Sequence, residues 1–281
     1  MRNPAFQHEA IWPAAPSDRV IGAFGWWLRR MFRKSFAGVW VARGVAPELR
    51  AVDAHHGPAI VLMNHASWWD PLVGLMLARE LTPRRRLLAP MELDQLKKFG
   101  FFRRLGVFGL DPDRADALDA MVSYVRATFE ADPRTAFWIT PQGQFTDPRT
   151  PIRLRPGAAT LAARTPTPHG VRVVCVAVEY AFWTDQKPEV FLRFAGVSAP
   201  ETPTTAGWTR AMTHAMQANA DALAALVVAR DHAAFEPVLA ARRGGVNPLY
   251  DAWLRLRGRS GRIEGVRRTP APATARVGAR P

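Results

Sequence analysis

Short apolar runs separated by helical patterns are the feature that most constrains the fold of this chain. Residues 136–140 and 173–178 are two such runs, each long enough for one buried strand and rich in β-branched or aromatic side chains. Similar runs occupy residues 59–63, 86–90, 106–109 and 190–194, and helical periodicity covers residues 71–80, 113–129 and 205–230. Alternating strands and helices predict an α/β fold with a mixed, largely parallel sheet flanked by helices.

One large domain between two irregular ends accounts for the length of 281 residues. Residues 1–17 contain three prolines and no periodicity, so we expect an irregular lead-in. Residues 18–257 are expected to form the domain, which begins with an amphipathic, membrane-facing helix. Residues 258–281 are rich in Arg, Gly, Pro and Ala, which predicts a basic, disordered C-terminal tail.

The net charge of +14 is concentrated near the end of the chain. Residues 255–281 hold eight arginines against one acidic residue, Glu264, and so carry +7, half of the excess. Such a segment either attracts anionic lipid or another polyanion, or stays solvated without a specific partner. Both interpretations stay open. The sequence contains no recognisable nucleic-acid-binding module, so we do not expect nucleic acid as a partner.

Cysteine content and hydropathy restrict where the protein is expected to act. A single cysteine, Cys175, excludes an internal disulfide framework and fits a reducing compartment. No window reaches the roughly 18 unbroken apolar residues of a spanning helix, and the first residues lack the pattern of a signal peptide. We therefore expect a peripheral protein at the cytoplasmic face of a membrane, without a spanning helix.

The first helical pattern combines apolar, aromatic and basic residues. Its apolar face comprises Val20, Ile21, Phe24, Trp27, Leu28, Met31 and Phe32. Trp26 lies on the opposite face among Arg29, Arg30 and Arg33. An aromatic ring beside arginines suits the headgroup region of a membrane, whereas a packed helix with a solvated charged face is the alternative. Further basic segments expected at such a surface are residues 84–86, 97–104 and 250–257.

A histidine and an aspartate closely follow the apolar run at residues 59–63. His65 comes just after residues 59–63, where side chains at the carboxyl end of a strand point into a crevice, and Asp70 is expected to begin the next helix. In that geometry Asp70 can accept a hydrogen bond from Nδ1 of His65, which leaves Nε2 to deprotonate a substrate hydroxyl. His65 is thus a candidate general base and Asp70 its orienting partner. An N-cap role for Asp70 is the alternative that needs no chemistry.

Residues 63–71 as a whole resemble the first block of the glycerolipid acyltransferase family, which includes the lysophosphatidate acyltransferases. The family pattern Asn-His-x4-Asp is matched by Asn64, His65 and Asp70, with Ser67 and Trp68 also at familiar positions. The later blocks are matched in order by residues 96–108, 141–143, 152–157 and 174–177. The second block differs in that its arginine, Arg114, is displaced by an insertion-like Asp-Pro-Asp. The likeness covers roughly residues 20–200.

This resemblance implies an enzyme that moves a fatty acyl group from acyl-CoA or acyl-ACP to the hydroxyl of a lipid acceptor at a membrane surface. It implies no metal and no other cofactor, and an acceptor of the lysophospholipid or glycerol-phosphate type. The acceptor-binding candidates are Gln142, Gly143, Gln144, Phe145 and Arg114. Asn64 and Ser67 are candidates for supporting the catalytic pair, and backbone amides near the third block are implied as oxyanion donors.

The third block departs from the family pattern Pro-Glu-Gly-Thr-Arg at two positions. Gln142 replaces the glutamate, and Phe145 replaces the arginine that would grip a phosphate. The acceptor is therefore either a non-phosphate lipid, such as a carotenoid glycoside or glycolipid, or a phosphorylated lipid held by Arg149, Arg153 or Arg155. Two alternatives from other classes are a basic lipid- or nucleic-acid-binding protein without turnover, and a hydrolase that uses water in place of the acceptor.

Overall fold

The computed structural model describes residues 10–165, 170–183 and 185–240, together with residue 257. The strands in this part of the chain are β1 (Ile11–Trp12), β2 (Gly38–Ala42), β3 (Ala59–Met63), β4 (Arg86–Glu92), β5 (Val107–Leu110), β6 (Thr135–Ile139), β7 (Arg172–Ala181), β8 (Glu189–Val197) and β9 (Phe235–Ala240). The α-helices are α1 (Asp18–Ser35), α2 (Ala46–Ala54), α3 (Asp70–Leu81), α4 (Leu93–Lys98), α5 (Ala117–Ala131), α6 (Gly157–Ala163) and α7 (Thr205–Ala229). Two 3-10 segments, Gly100–Leu105 and His232–Ala234, follow α4 and α7.

All of these strands belong to one mixed sheet whose central strands are parallel. Their order is β1-β5-β4-β6-β3-β7-β8-β2-β9. Strands β5, β4, β6, β3 and β7 run parallel to one another. Strand β8 is antiparallel to β7, β2 is parallel to β8, and the edge strands β1 and β9 are antiparallel to their neighbours. The predicted α/β fold with a mixed, largely parallel sheet is confirmed.

Two apolar cores lie on opposite faces of the sheet, and strand β3 contributes to both. All of its residues are buried. Ile60 and Leu62 join the core that α5, α6 and α7 cover, whereas Val61 and Met63 join the core that α1, α2 and α3 cover. A strand buried on both faces needs a continuous apolar run, which is why residues 59–63 carry no polar side chain.

This topology brings three separate parts of the chain to one edge of the sheet. Strand β3 lies between β6 and β7, and all three point the same way. The segment after β3, the loop after β6 and the last residues of β7 therefore lie side by side. The carboxyl edge of a parallel sheet is where polar side chains from different loops converge on a ligand.

Helix α1 packs on the domain and also exposes aromatic side chains. Phe32 is buried, and Gly25 lies so close to α3 that a Cβ atom would come within 2.5 Å of Arg79. Trp26 is 69% exposed, as expected for a residue on the basic face. Trp27 is 46% exposed and its ring lies 5.1 Å from that of Phe24, so the predicted apolar face is only partly packed on the domain. The helix thus combines the packed side of one interpretation with the exposed aromatic rings of the other.

Some local predictions differ from the structure. Helix α5 begins at Ala117 rather than at Asp113, because the preceding residues form turns in which Asp111 accepts a hydrogen bond from the Asp113 N–H at 3.2 Å. Strand β1 lies inside the segment 1–17, whose prolines predict only irregular chain, and it pairs with β5. Strands β2 and β9 and helix α2 are also absent from the prediction. All three are short; the two strands depend on their neighbours in the sheet for stability, and the helix depends on packing against the sheet.

Two predictions concern residues beyond the described part of the chain. The basic helix at residues 250–257, apart from residue 257, and the tail at residues 258–281 lie outside it. The domain limits of 18–257 stay a prediction. Within the described ranges, every helix is too short or too polar to cross a bilayer.

Candidate active site

His65 and Asp70 meet at the end of β3. His65 Nδ1 lies 2.8 Å from Asp70 Oδ2. Strand β3 ends at Met63 and α3 begins at Asp70, so the turn between them folds the two side chains onto each other. The His65 side chain keeps 16% of its surface exposed, whereas the Asp70 side chain is fully buried. A buried carboxylate that orients a partly accessible imidazole is the arrangement expected of a general base.

Both carboxylate oxygens of Asp70 accept hydrogen bonds. Oδ2 also accepts from the backbone N–H of Ser67 at 2.8 Å. Oδ1 accepts from the hydroxyl of Tyr180 at 2.6 Å. Hydrogen bonds to both oxygens fix the plane of the carboxylate. Ser67 therefore contacts Asp70 through its backbone, and its supporting role stays a prediction.

Tyr180 is a site residue that the sequence patterns do not identify. It is the penultimate residue of β7, the parallel neighbour of β3. Burial, and then the adjacent Asp70 carboxylate, raise the pKa of the Tyr180 phenol, so the hydroxyl remains a hydrogen-bond donor. A tyrosine in a strand is common, and only the order of strands in the sheet shows that this one faces Asp70. The sequence gives one indication of its role: Tyr180 comes shortly after residues 174–177, which resemble the last block of the family.

Asn64 joins the end of β3 to β7. Its Oδ1 accepts from the backbone N–H of Val178 at 2.7 Å, and its Nδ2 donates to the Val178 carbonyl at 3.0 Å. The last backbone pair of these strands is Met63 with Val176, so the Asn64 side chain continues their hydrogen bonding one step further. This buried amide positions the residue that follows it, His65.

The third block holds the backbone of His65 from the other side. Gln142 Oε1 accepts from the His65 N–H at 2.9 Å, and the Thr146 N–H donates to the His65 carbonyl at 2.8 Å. Gln142 Nε2 donates to Thr146 Oγ1 at 2.6 Å, which closes the arrangement. Gln142 is buried and its amide is hydrogen-bonded at both ends, so it positions the backbone of His65. Its predicted contact with the acceptor stays a prediction.

Phe145 lies directly against His65. The two ring centroids are 4.2 Å apart, with their planes inclined by 41°. The Phe145 side chain is 60% exposed, so it forms an apolar wall at the mouth of the site. The family's arginine would place a guanidinium at this position in the sequence, whereas here an aromatic ring borders the imidazole.

A cavity of about 320 Å³ lies beside the third block. Its lining residues are Gln142, Gln144, Thr146, Thr150, Pro151 and Arg153. Gln142 borders this cavity and also contacts the His65 backbone, which places the cavity next to the turn that carries His65. Amide, hydroxyl and guanidinium groups in one cavity can bind a polar headgroup through several hydrogen bonds.

The three arginines considered as phosphate ligands have different surroundings. Arg153 lines the cavity. Arg149 is paired with the buried Glu179, with 3.0 Å from its Nε to Oε1, so its charge is already compensated. Arg155 lies across Gly143, whose φ of +67° favours glycine, and a Cβ atom there would come within 2.5 Å of Arg155 Nε. Arg153 is thus the best placed of the three to meet an anionic headgroup.

Arg114 is not brought to the catalytic pair. Its Nε and Nη2 lie 2.8 and 2.9 Å from the two carboxylate oxygens of Asp116. It follows β5, which is separated from β3 by β4 and β6, a distance of roughly 14 Å at the usual strand spacing. The displaced arginine therefore does not meet His65 in this structure, and its acceptor-binding role stays a prediction. Among the described residues, no group of three or more His, Cys, Asp or Glu is arranged to hold a metal ion.

Comparison with known families agrees with the geometry around His65. A family model described as Acyltransferase matches residues 45–179, from the residue before α2 to strand β7. The chain contains an Acyltransferase-family domain. The resemblance to the glycerolipid acyltransferases is thereby confirmed at the level of the family, and it supports acyl transfer as the general activity. The matched part of this acyltransferase domain includes His65 and the third block, and it ends one residue before Tyr180. A comparison with curated proteins gives no match.

Proposed function

We propose that the domain moves a fatty acyl group from acyl-CoA or acyl-ACP to a hydroxyl group of a lipid acceptor at a membrane surface. The supporting observation is the 2.8 Å contact between His65 Nδ1 and the buried Asp70, with the imidazole still accessible. Nε2 takes the acceptor's hydroxyl proton while the acceptor oxygen attacks the thioester carbonyl. The tetrahedral intermediate expels the thiolate, which receives that proton from Nε2. The products are the acyl ester and a free thiol.

The loop after β6 supplies candidates for stabilising the negative charge of that intermediate. The backbone N–H of Gly143 donates to the Thr140 carbonyl at 3.1 Å, and that of Thr146 donates to His65. No hydrogen bond between described residues uses the N–H groups of Gln144 or Phe145. They belong to the loop whose Phe145 ring lies 4.2 Å from the imidazole, and they are the oxyanion donors of the proposal.

A phosphorylated acceptor of the lysophospholipid or glycerol-phosphate type is the first candidate. The resemblance to the family favours it, and Arg153 in the cavity beside the third block supports it. A non-phosphate acceptor, such as a carotenoid glycoside or glycolipid, is the second. Phe145 favours it, because an aromatic face beside His65 suits an apolar or sugar-like group.

Substitution of Arg153 separates the two acceptor classes. With a phosphorylated acceptor we expect Arg153→Gln to lower kcat/KM by about 10- to 100-fold, the usual effect of losing a hydrogen bond to a charged group. With a glycosylated acceptor the effect should be small. The measurement offers both acceptors together with one acyl-CoA and determines the products by mass spectrometry. Arg126→Gln, an exposed helix position paired with Glu130, is the control.

The alternative classes give different results in the same assay. Thiol release that needs no acceptor supports hydrolysis. A protein that binds lipid but releases no thiol with any acceptor and either donor contradicts the proposed transfer and supports a binding function.

An exposed aromatic surface supports the membrane part of the proposal. We define this surface by the exposed rings of Trp27, Phe99 and Phe101, together with the partly buried ring of Phe24. The Phe24 ring lies 5.1 Å from the Trp27 ring and 5.9 Å from the Phe101 ring, which joins α1 to the 3-10 segment after α4. The last turn of α4 and the 3-10 segment also carry Lys97, Lys98, Arg103 and Arg104. Rings and cations on one surface match the acyl boundary and the phosphate layer of a bilayer.

Removing two rings from this surface should weaken membrane binding. We expect the double variant Trp27→Ala/Phe101→Ala to lose on the order of tenfold or more in partitioning, because each ring removes apolar area that the bilayer would bury. Co-sedimentation with vesicles containing an anionic lipid measures the effect. Val228→Ala on α7, on the other side of the sheet, is the control at an exposed apolar position. Equal binding of the double variant and the parent protein would exclude this surface as the attachment site.

A further inference from the structure

Tyr180 contacts the catalytic carboxylate from a part of the chain outside the family match. Its hydroxyl donates to Asp70 Oδ1 at 2.6 Å, on the side of the carboxylate away from His65. We propose that Tyr180 is a positioning residue that sets both the orientation of Asp70 and the strength with which Asp70 holds the His65 ring. This inference rests on the proposed function only in taking His65 as the base.

The hydrogen bonds of Asp70 show why Tyr180 matters. Oδ2 is shared between His65 Nδ1 and the Ser67 N–H, whereas Oδ1 receives the Tyr180 hydroxyl as its one partner among the described hydrogen bonds. Because Asp70 is fully buried, water does not readily replace that donor. The terminal torsion of an aspartate has a broad energy minimum, so a second fixed oxygen is needed to hold the carboxylate plane.

The fold holds the Tyr180 hydroxyl firmly in place. Strand β7 pairs with β3 on one side and β8 on the other, and Tyr180 is paired with Val190 in β8. Its ring also lies 6.0 Å from the ring of Phe36, which itself contacts Trp69 at 4.7 Å. The sheet thus positions the Tyr180 hydroxyl, while the β3–α3 turn positions His65 and Asp70.

The Tyr180 hydrogen bond also affects the charge that His65 experiences. A donor on Oδ1 disperses the negative charge of the carboxylate. Without it, Asp70 attracts the protonated imidazole more strongly, and His65 should then hold its proton up to a higher pH. A merely structural tyrosine would change stability without moving this titration.

An NMR titration of the imidazole tests the inference without any substrate. The full-length protein is labelled at histidine, and the His65 signal is identified by its loss in His65→Ala. We expect the midpoint of the His65 titration to move to higher pH in Tyr180→Phe. Tyr124→Phe is the matched control: its hydroxyl accepts from the Ala14 N–H at 3.0 Å, away from Asp70, and its removal should leave the midpoint unchanged. An unchanged midpoint in folded Tyr180→Phe overturns the inference.

A second replacement covers the case in which Tyr180→Phe does not fold. Incorporation of 3-fluorotyrosine at position 180 keeps the shape but makes the phenol a stronger donor, so the His65 midpoint should move to lower pH. No movement overturns the inference. With an acceptor in hand, kcat of Tyr180→Phe should fall about tenfold while the acceptor KM stays unchanged. A titration shift in a protein that turns over no acceptor would support the Tyr180 inference while refuting the proposed function.

Discussion

His65→Ala should abolish acceptor-dependent thiol release from acyl-CoA. The imidazole is the group that removes the hydroxyl proton, and base catalysis by a positioned side chain contributes roughly 10²- to 10⁴-fold in rate. We expect kcat to fall by at least that factor. The fold should persist, because Gln142 and Thr146 hold the backbone of residue 65 rather than its side chain. The rate of thiol release and the thermal unfolding midpoint, measured on the same preparation, check both expectations.

His214→Ala is the control for that experiment. His214 lies exposed on α7, a helix that covers the other face of the sheet, so its removal should leave turnover unchanged. A folded His65→Ala protein with the parent rate would exclude His65 as the base and with it the proposed mechanism.

Asp70→Asn should have the second-largest effect on turnover. The change keeps the shape but removes the charge that stabilises the imidazolium. It also places an NH2 group where one oxygen accepted a hydrogen bond, so a donor from His65, Ser67 or Tyr180 meets another donor. Loss of the carboxylate of a catalytic triad lowers kcat by about 10⁴-fold in the serine proteases, and we expect a decrease of about 10²- to 10⁴-fold here.

Steady-state kinetics with saturating acyl donor measure the effect of Asp70→Asn. Asp119→Asn removes an exposed carboxylate that pairs with Arg164 on the surface, and it should retain full activity. A kcat for Asp70→Asn within a few-fold of the parent value would leave Asp70 with a structural role alone, as the hydrogen-bond acceptor of Ser67 and Tyr180. It would contradict the assignment of Asp70 as the orienting partner.

The contact between His65 and Asp70 was predictable from the sequence because its geometry is local. His65 and Asp70 are five residues apart, and the apolar strand before them and the helix after them are both visible as patterns. Once a strand ends just before His65 and a helix begins at Asp70, the turn leaves few ways to place the two side chains. The observed distance of 2.8 Å follows from that short connection.

The surroundings of the pair were not predictable in the same way. The family resemblance associates Gln142 with the acceptor, whereas the structure shows its amide holding the His65 backbone, 77 residues away in the chain. Tyr180 is 110 residues from Asp70. Neither contact has a signature in spacing, because each depends on β6 and β7 lying on the two sides of β3.

Residue order alone was enough to indicate the α/β class, the central strands and the His65–Asp70 turn, since these depend on hydrophobic periodicity and on contacts within a few residues. Only the tertiary structure decided four features: the sheet order, the packing of Phe145 on the imidazole, the pairing of Arg149 with Glu179 and the Tyr180 hydrogen bond. The physical reason is that burial of both sheet faces selects which strands become neighbours, and that selection decides which distant polar groups must satisfy one another at the edge of the sheet.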